Sequence, residues 1–247
     1  MFIDQDKCKG CAKCISYCPV NAIIAFKRDK AQGIEAHAII ASAECVECGV
    51  CYRAKVCTTD AIVRDTLSYP RVIRQLFSDP WFSHPGTGIP GRGTEEMKTN
   101  EVTGRFWDGY IGIGLEFGRP TLGCRLKETE KAFKRLLPLG LMLEPKNPLT
   151  QLIADPKTGA LKPEVREEKV LSAIVEGIVP LENAERVFKA VKELAEEIDT
   201  VFSFDVIGKV APDGQIPARD AMQQAGFAPS VAGKTNVGLG RPLFKNF

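Results

Sequence analysis

Residues 8–19 read CKGCAKCISYCP, and residues 45–57 read CVECGVCYRAKVC. Together these two stretches hold eight of the nine cysteines in a chain of 247 residues. The first has the spacing C-x2-C-x2-C-x3-C and ends on Pro19, whereas the second has the spacing C-x2-C-x2-C-x5-C and is followed by Thr58. In a reducing compartment, cysteines clustered in this way are metal ligands more often than disulfide partners. The spacing therefore predicts that the N-terminal part of the chain binds metal.

The two cysteine runs repeat each other beyond the cysteines. Cys18-Pro-Val-Asn-Ala-Ile matches Cys57-Thr-Thr-Asp-Ala-Ile. A repeat of this kind indicates two copies of one supersecondary unit, related by a pseudo-twofold axis. In these residues the sequence resembles the bacterial two-cluster ferredoxin family, over about residues 1–65. The resemblance implies an N-terminal ferredoxin domain, residues 1–65, with two [4Fe–4S] clusters as its cofactors.

The resemblance also implies which cysteines hold which cluster. In two-cluster ferredoxins, three cysteines of a run bind one cluster and the fourth binds the other. Carried over by position, the first cluster would be held by Cys8, Cys11, Cys14 and Cys57, and the second by Cys45, Cys48, Cys51 and Cys18. The second run departs from the family pattern by two extra residues before Cys57, so we expect the loop there to differ in shape. Zinc is the alternative metal, since tetrahedral four-cysteine sites also use C-x2-C pairs.

The residues between and after the two runs are apolar enough to shield a metal group from water. Residues 22–27 and 34–41 flank the polar stretch 29–33, a pattern that predicts a β-hairpin. We expect small apolar side chains to contact the clusters: Ala22, Ile23, Ile39, Ala61 and Ile62. The ninth cysteine, Cys124, is predicted to be a buried small hydrophobic residue.

Composition excludes several classes of function. Lys and Arg number 33 against 31 Asp and Glu, a net charge of +2 that is too balanced for a nucleic-acid binder held by phosphate contacts. No apolar run reaches the roughly 18–20 residues of a membrane span. The first residues have neither the basic nor the apolar part of a secretory signal, so we predict a cytoplasmic protein.

The charge of the N-terminal part bears on its partners. Residues 1–65 carry nine basic and eight acidic side chains. Ferredoxins that diffuse freely and dock by charge usually have a surface of one sign, so this balance favours a fixed position in a complex. The alternative is that the charges are balanced in number but segregated in space.

Residues 66–109, here called the connector, interrupt the regular pattern. A short helix is predicted to start at Pro70 and run to Phe77, and seven prolines and glycines between Pro80 and Gly93 then exclude long helices and strands. The connector also carries large aromatic residues that would be unfavourable in a solvent-exposed coil, among them Trp81 and Trp107. It is interpreted either as a segment that docks on a partner subunit or as one that folds back between the two domains.

Residues 110–210 regain a regular pattern. Strands are predicted at 110–117, 170–179 and 200–206 and helices at 122–137 and 181–198, with two apolar stretches, 139–143 and 149–154, after the first helix. The predicted order is β-α-β-β-α-β. This order is typical of a split βαβ sandwich, and its layout is similar to that of ACT-type domains. Its sheet could also join two copies of the chain. Residues 211–247 are predicted to form an extended C-terminal arm with one short helix near Pro217–Gln224.

Taken together, the sequence predicts an α+β protein that transfers electrons through two [4Fe–4S] clusters. We expect it to be the ferredoxin-like subunit of a larger cytoplasmic oxidoreductase, of the kind used in anaerobic metabolism, that docks through the connector and the C-terminal arm. No catalytic residue is predicted in this chain. The alternative function is a redox- or metabolite-responsive regulator with an ACT-like ligand-binding domain.

Overall fold

The computed structural model describes residues 1–91, 104–118 and 122–229. Its first 65 residues contain four short strands, the 3-10 turn Ile15–Tyr17 and one short helix. The strands are β1 (Phe2–Ile3), β2 (Ile23–Phe26), β3 (His37–Ile40) and β4 (Ile62–Val63), and the helix is α1 (Val50–Arg53). β1 pairs with β4 and β2 pairs with β3, both antiparallel. This part thus contains two small antiparallel sheets, of which the β2–β3 pair is a hairpin and the β1–β4 pair joins the two ends of the part.

The β2–β3 pair is the hairpin predicted from the apolar stretches. Asp29 exchanges both backbone hydrogen bonds with Ile34, at 2.9 Å each, and so closes the turn. The Asp29 side chain accepts the backbone N–H of Ala31 at 2.9 Å, an Asx turn that satisfies a donor the hairpin leaves free. Gly33 completes the turn with φ +67°, a conformation that glycine adopts without steric cost.

The connector begins with helix α2 (Val72–Ser78), close to the predicted position after Pro70. Ile73 and Phe77 of this helix belong to the main hydrophobic core of the C-terminal part. Further along, Gln151 donates to the Gly86 carbonyl and Arg105 donates to the Met142 carbonyl at 2.7 Å. The described part of the connector therefore folds back onto the chain. Trp81 and Trp107 remain 65% and 50% exposed, respectively.

Between residues 110 and 229, the described residues form eight strands, three helices and four 3-10 turns. The strands are β5 (Tyr110–Phe117), β6 (Cys124–Arg125), β7 (Met142–Leu143), β8 (Ile153–Asp155), β9 (Ala160–Leu161), β10 (Lys169–Val170), β11 (Ala173–Pro180) and β12 (Phe202–Ile207). The helices are α3 (Leu126–Leu136), α4 (Ala184–Ala195) and α5 (Pro217–Gln224). The 3-10 turns are Leu137–Leu139, Thr150–Leu152, Pro163–Val165 and Leu181–Asn183.

Four of these strands form one antiparallel sheet in the order β12-β5-β11-β7. Along the chain, β5, α3, β7, β11, α4 and β12 follow one another as β-α-β-β-α-β. Of the described residues, 27% are helical and 23% are in strands, in keeping with an α+β protein. The similarity to ACT-type domains stays a prediction.

The main core lies between one face of this sheet and helices α3 and α4. Successive strand residues point to opposite faces, and Ile111, Ile113, Leu115 and Phe117 of β5 all face the core. Both helices present an apolar stripe to them, which includes Phe133 of α3 and Phe188, Val191 and Leu194 of α4. Each of these side chains is at most 2% exposed. The helices are therefore held by apolar burial on a single face of the sheet.

One apolar stretch of this part lies outside the main sheet, and one predicted strand is interrupted. Residues 149–154 form a 3-10 turn followed by β8, which pairs with β9 outside the main sheet. The predicted strand 170–179 is divided into β10 and β11, and β10 pairs with β6. The interruption falls at Leu171, whose backbone N–H donates to the Ser78 hydroxyl at 2.9 Å instead of to a neighbouring strand. A contact with the connector thus breaks the strand.

The C-terminal arm is folded in residues 211–229, the portion of it that the structure describes. Helix α5 forms over Pro217–Gln224 as predicted, with proline in its first turn. Ala218 and Ala225 are buried, and the Phe227 ring contacts the rings of Phe188 and Phe204. Residues 211–229 are thus not an extended arm, because α5 and Phe227 bury apolar surface against α4. Residues 230–247 lie outside the described residues.

Within the described ranges, no helix is both long enough and apolar enough to cross a membrane.

Glu176 gives this fold a pH dependence that can be measured. Burial raises the pKa of Glu176 to about 7, and the neighbouring Glu144 and Glu116 carboxylates act in the same direction, against a hydrogen bond from Asn147. The folded state therefore holds a proton that the unfolded state releases near pH 4.5. The resulting stabilisation is complete below that pH and is lost as the pH rises through about 7.

We expect Glu176→Gln to remove this dependence. The amide keeps a carbonyl that accepts from Asn147 but carries no charge at any pH. Above pH 7 the variant should gain up to about 3 kcal/mol relative to the parent, and below pH 4.5 it should gain nothing. The measurement is the urea-unfolding midpoint across this range, with the exposed Glu196→Gln as the control. Equal pH profiles for the parent and Glu176→Gln would refute the assignment.

Candidate metal centre

The eight cysteines of the two runs surround two cavities. The first cavity and its mouth comprise about 460 Å³ and are lined by Cys8, Cys11, Cys14 and Cys57. The second comprises about 300 Å³ and is lined by Cys18, Cys45, Cys48 and Cys51. Each cavity thus takes three cysteines from one run and one from the other. Cys124 lines neither cavity and is buried in the main core, as predicted.

The thiols within each set are close enough to affect one another. Burial raises the pKa of the Cys14 thiol, and Cys11, Cys8 and Cys57 raise it further. In the second set, burial raises the pKa of Cys51 to about 12, and Cys48, Cys45 and Cys18 act in the same direction. Four thiolates held together in this way repel each other, so a positively charged group between them would stabilise the arrangement.

Backbone N–H groups point at the fourth cysteine of each run. The Ala22 N–H donates to Cys18 Sγ at 3.1 Å, and the Ala61 N–H donates to Cys57 Sγ at 3.2 Å. Although burial of Cys57 opposes it, hydrogen bonds from Thr59 and Ala61 lower the pKa of this thiol. Donors placed this way favour a thiolate over a thiol, which is the form that binds metal.

Left-handed backbone conformations recur at the same positions in both cysteine runs. In the first run, Gly10, Ala12 and Asn21 have φ values between +53° and +64°. In the second run, the equivalent residues are Glu47, Gly49 and Asp60, with φ between +50° and +68°. Four of these six residues are not glycine, and for such residues this conformation is unfavourable by roughly 1–2 kcal/mol each. The loops are therefore shaped by the need to turn several thiols inward, not by local preference.

Close packing requires glycine at two of these positions. A Cβ on Gly10 would lie 2.4 Å from the backbone of Ala36 in the β2–β3 hairpin. A Cβ on Gly49 would lie 2.2 Å from Arg64 Nη2. The C-x-G-C and C-G segments thus allow other parts of the chain to approach the cysteine loops.

A family model for a 4Fe-4S dicluster domain matches residues 7–75. Residues 7–75 form a ferredoxin-type iron–sulfur domain. Domains of this class transfer electrons. The match includes all eight cysteines that line the cavities and extends past residue 65 into α2. No curated protein and no solved structure matches the chain.

The residues of the ferredoxin-type domain fit an iron–sulfur group. Both cavities have four thiols spread over their walls, as a group larger than one ion requires. In the described part of the chain, no three His, Cys, Asp or Glu side chains converge as they would around a single metal ion. The remaining walls are mainly apolar, which limits the access of water to the buried sulfur atoms, above all in the second cavity.

Four of the five apolar residues expected at the clusters line a cavity. Ala22 and Ile23 line the second cavity, and the equivalent Ala61 and Ile62 line the first. Ile39 lines neither of the two, so this prediction was wrong. Its neighbours Ala38 and Ile40 line the first and second cavity instead, because alternate residues of β3 face opposite sides of the sheet.

The longer spacing in the second run is accommodated by a helix. Cys51 lies within α1, whereas the equivalent Cys14 precedes the 3-10 turn Ile15–Tyr17. The segment between Cys51 and Cys57 contains Lys55 at φ +51°, and this left-handed conformation turns the chain back toward Cys57. A small cavity separates Cys51 from Cys57 and is lined by Tyr52, Lys55, Asp60 and Ile62. The loop therefore differs in shape between the two runs, as predicted.

The residues around the second cavity contact the connector and the C-terminal part of the chain. Leu171 packs with Val20, Val46 and Cys48 in one small apolar cluster. Arg74 of α2 donates to the Ser42, Ala43 and Cys45 carbonyls and pairs with Glu168. Cys48 is 7% exposed as a result, whereas Cys11 of the first cavity is exposed. The two sites therefore differ in their access to solvent.

One interaction at this junction was not found by sequence analysis. Asp79 is fully buried and accepts 2.6 Å hydrogen bonds from both Arg53 and Arg64. The two guanidinium groups also lie over the Trp81 ring, each 5.2 Å from its centre. Arg53 is the last residue of α1 and lies two residues after Cys51. Nothing in the sequence distinguishes Asp79 from other loop carboxylates, since its partners are 15 and 26 residues away.

We expect Asp79→Asn to destabilise the folded protein by about 3 kcal/mol. The substitution preserves the shape of the side chain but leaves two arginines without their counter-charge in a mostly buried position. The measurement is the midpoint of anaerobic urea unfolding, followed by far-UV circular dichroism. Asp65→Asn, at an exposed carboxylate of the same domain, serves as the control. A loss no greater than that of the control would contradict the role given to Asp79.

Proposed function

We propose that this chain is an electron-transfer subunit of a larger oxidoreductase and that it carries two [4Fe–4S] clusters. The observation that supports the proposal most strongly is the division of eight cysteines into two sets of four, each drawn from both runs. A crossed arrangement of this kind is what two-cluster ferredoxins use. Because each site takes cysteines from both runs, neither run can form a complete site without the other.

In this proposal, each cysteine contributes one thiolate ligand. Cys8, Cys11, Cys14 and Cys57 hold the first cluster, and Cys45, Cys48, Cys51 and Cys18 hold the second. The clusters, when bound, supply one-electron redox chemistry. The chain's own residues bind them, exclude water and set the electrostatic surroundings of the sulfur atoms.

Two features of the chain affect the ease of reduction at each site. The Ala22 and Ala61 N–H groups donate to Cys18 and Cys57, and such hydrogen bonds stabilise the more negative, reduced state. The Arg53 and Arg64 guanidinium groups lie near the second site, but Asp79 offsets part of their charge. The chain therefore surrounds its two sites with different charges.

The larger complex is supported by exposed aromatic residues in the connector. Trp81 and Trp107 are 65% and 50% exposed in this chain. Because tryptophan side chains often anchor protein interfaces, their exposure supports a partner that covers them. The edge strands of the main sheet, β7 and β12, are a second surface through which chains could pair, including two copies of this one. The docking of a partner along the connector and the C-terminal arm is part of this proposal. The regulator hypothesis stays a prediction.

Iron content tests the number of clusters. Protein purified without oxygen should contain about eight irons and eight sulfides per chain, which is two [4Fe–4S] clusters. It should show broad visible absorption that decreases on reduction with dithionite. Stoichiometric zinc and no visible absorption would disprove the proposal.

Paired cysteine substitutions test which thiols share a cluster. Cys18→Ala alone and Cys18→Ala with Cys51→Ala should each leave about four irons, because both substitutions affect the same site. Cys18→Ala with Cys57→Ala should leave none, because one ligand is lost from each site. Iron analysis and electron paramagnetic resonance of the reduced proteins provide the measurement.

Cys124→Ala is the matched control for these variants, since this cysteine lies in the main core and should leave iron content unchanged. If the Cys18 and Cys51 pair left no iron, the ligands would not be crossed, because these two cysteines would then belong to different sites. The Cys18 and Cys57 pair removes a ligand from each site in either arrangement and shows the full loss for comparison.

A further inference from the structure

The two cysteine cavities differ in what covers them. The second cavity lies against Val46 and Leu171, and Arg74 ties its loop to α2. In the described part of the chain, no residue beyond Ile62 lines the first cavity, and four residues of its wall are exposed: Lys9, Cys11, Lys13 and Thr58. A redox partner in solution can therefore come much closer to the first site than to the second.

Positive charges surround the first cavity. Lys9 and Lys13 line it and are exposed, and no carboxylate of the described residues lies within ion-pair distance of either. Lys55 is exposed beside the adjoining small cavity, with its Nζ 4.6 Å from the centre of the Tyr52 ring. Asp60 is the acidic residue that lines this small cavity, and none lines the first. Three cations thus face one carboxylate.

Four of the eight acidic residues of the N-terminal part are engaged in ion pairs with other cations. Glu44 pairs with Arg125 and Lys169 of the C-terminal part, and Glu47 pairs with Arg71. Asp4 pairs with Lys7, and Glu35 pairs with Arg28. These carboxylates are therefore neutralised, whereas Lys9 and Lys13 at the first cavity have no ion-pair partner among the described residues.

We propose that the chain exchanges electrons at the first cavity with a separate redox protein whose docking surface is acidic. Lys9, Lys13 and Lys55 form the surface that receives it, here called the lysine surface. This inference rests on the proposed function, because it names the site at which electrons pass between this chain and another protein. One electron passes between the two proteins in each encounter, the donor being oxidised and the acceptor reduced, and no atom or proton is transferred. Opposite charges increase the rate of such encounters and orient the partners.

A footprinting experiment tests whether the lysine surface binds acidic polypeptide. The cluster-loaded protein is acetylated briefly with an N-hydroxysuccinimide ester, with and without poly-L-glutamate, and each lysine is quantified by mass spectrometry. We expect poly-L-glutamate to slow acetylation of Lys9, Lys13 and Lys55 by about threefold or more at low ionic strength, and high salt to abolish this protection. Lys146 and Lys157, exposed lysines of the C-terminal part without an ion pair, provide the comparison. Equal protection of all five lysines would overturn the proposal.

Electron transfer to small charged complexes tests the same surface by rate. The dithionite-reduced protein is mixed with tris(oxalato)cobaltate(III), a trianion, or with hexaammineruthenium(III), a trication, each of which accepts one electron. The double variant Lys9→Gln, Lys13→Gln should react at least about threefold more slowly with the trianion and no more slowly with the trication. The matched variant Lys146→Gln, Lys157→Gln removes the same charge and should react like the parent. If both double variants slowed the trianion equally, net charge and not the lysine surface would be responsible, and the proposal would fail.

Iron analysis of each variant separates the two proposals. A parent protein without iron would disprove the proposed function. Variants with a full complement of iron, but with unchanged rates and unchanged footprints, would disprove only the assignment of the lysine surface.

Discussion

The gathering of four thiols around one cavity is the constraint on which the N-terminal part depends. It fixes the backbone of the cysteine loops in left-handed conformations at equivalent positions of both runs, including Glu47 and Asp60. These conformations are unfavourable for residues with a side chain. They persist because amide donors, apolar walls and the surrounding strands hold the loops in place. The cysteines are thus not carried by a preformed scaffold, since the scaffold is largely made of the loops themselves.

The C-terminal sheet provides what these short loops lack, namely a large apolar core. The ferredoxin-type domain has short strands and only small apolar clusters, whereas the sheet with α3 and α4 buries many large side chains. α2 connects the two, because Ile73 and Phe77 belong to the main core while Arg74 holds the loop around Cys45. The connector is therefore a structural bridge over this part. The contact explains why the second site is covered and the first is accessible.

Much of the chain could be predicted from local sequence. The cysteine spacing identified the iron–sulfur domain, and the turn residues around Asp29 identified the β2–β3 hairpin. Apolar periodicity located α3 and α4, and Pro217 located the start of α5. These features depend on residues near one another in the sequence.

The features that were missed depend on tertiary contacts. Ile39 was assigned to the wrong face because a shift of one residue in a strand exchanges its two faces. The break at Leu171 requires the Ser78 hydroxyl, and the burial of Asp79 requires arginines from two other segments. Helix α5 was expected within an extended arm because its packing partner, Phe188, lies in a different helix. Sequence periodicity carries no information on such pairings.

The crossed lining of the two cavities has a consequence for the way the protein is made. A ribosome releases the chain from its N-terminus, and Cys8, Cys11 and Cys14 emerge long before Cys57, which completes their cavity. Over that interval the first loop has three thiols and no fourth, and three-thiol loops are open to oxidation. The second cavity is completed only six residues earlier, once Cys51 has joined Cys18. Neither site is therefore complete until both cysteine runs have been synthesised.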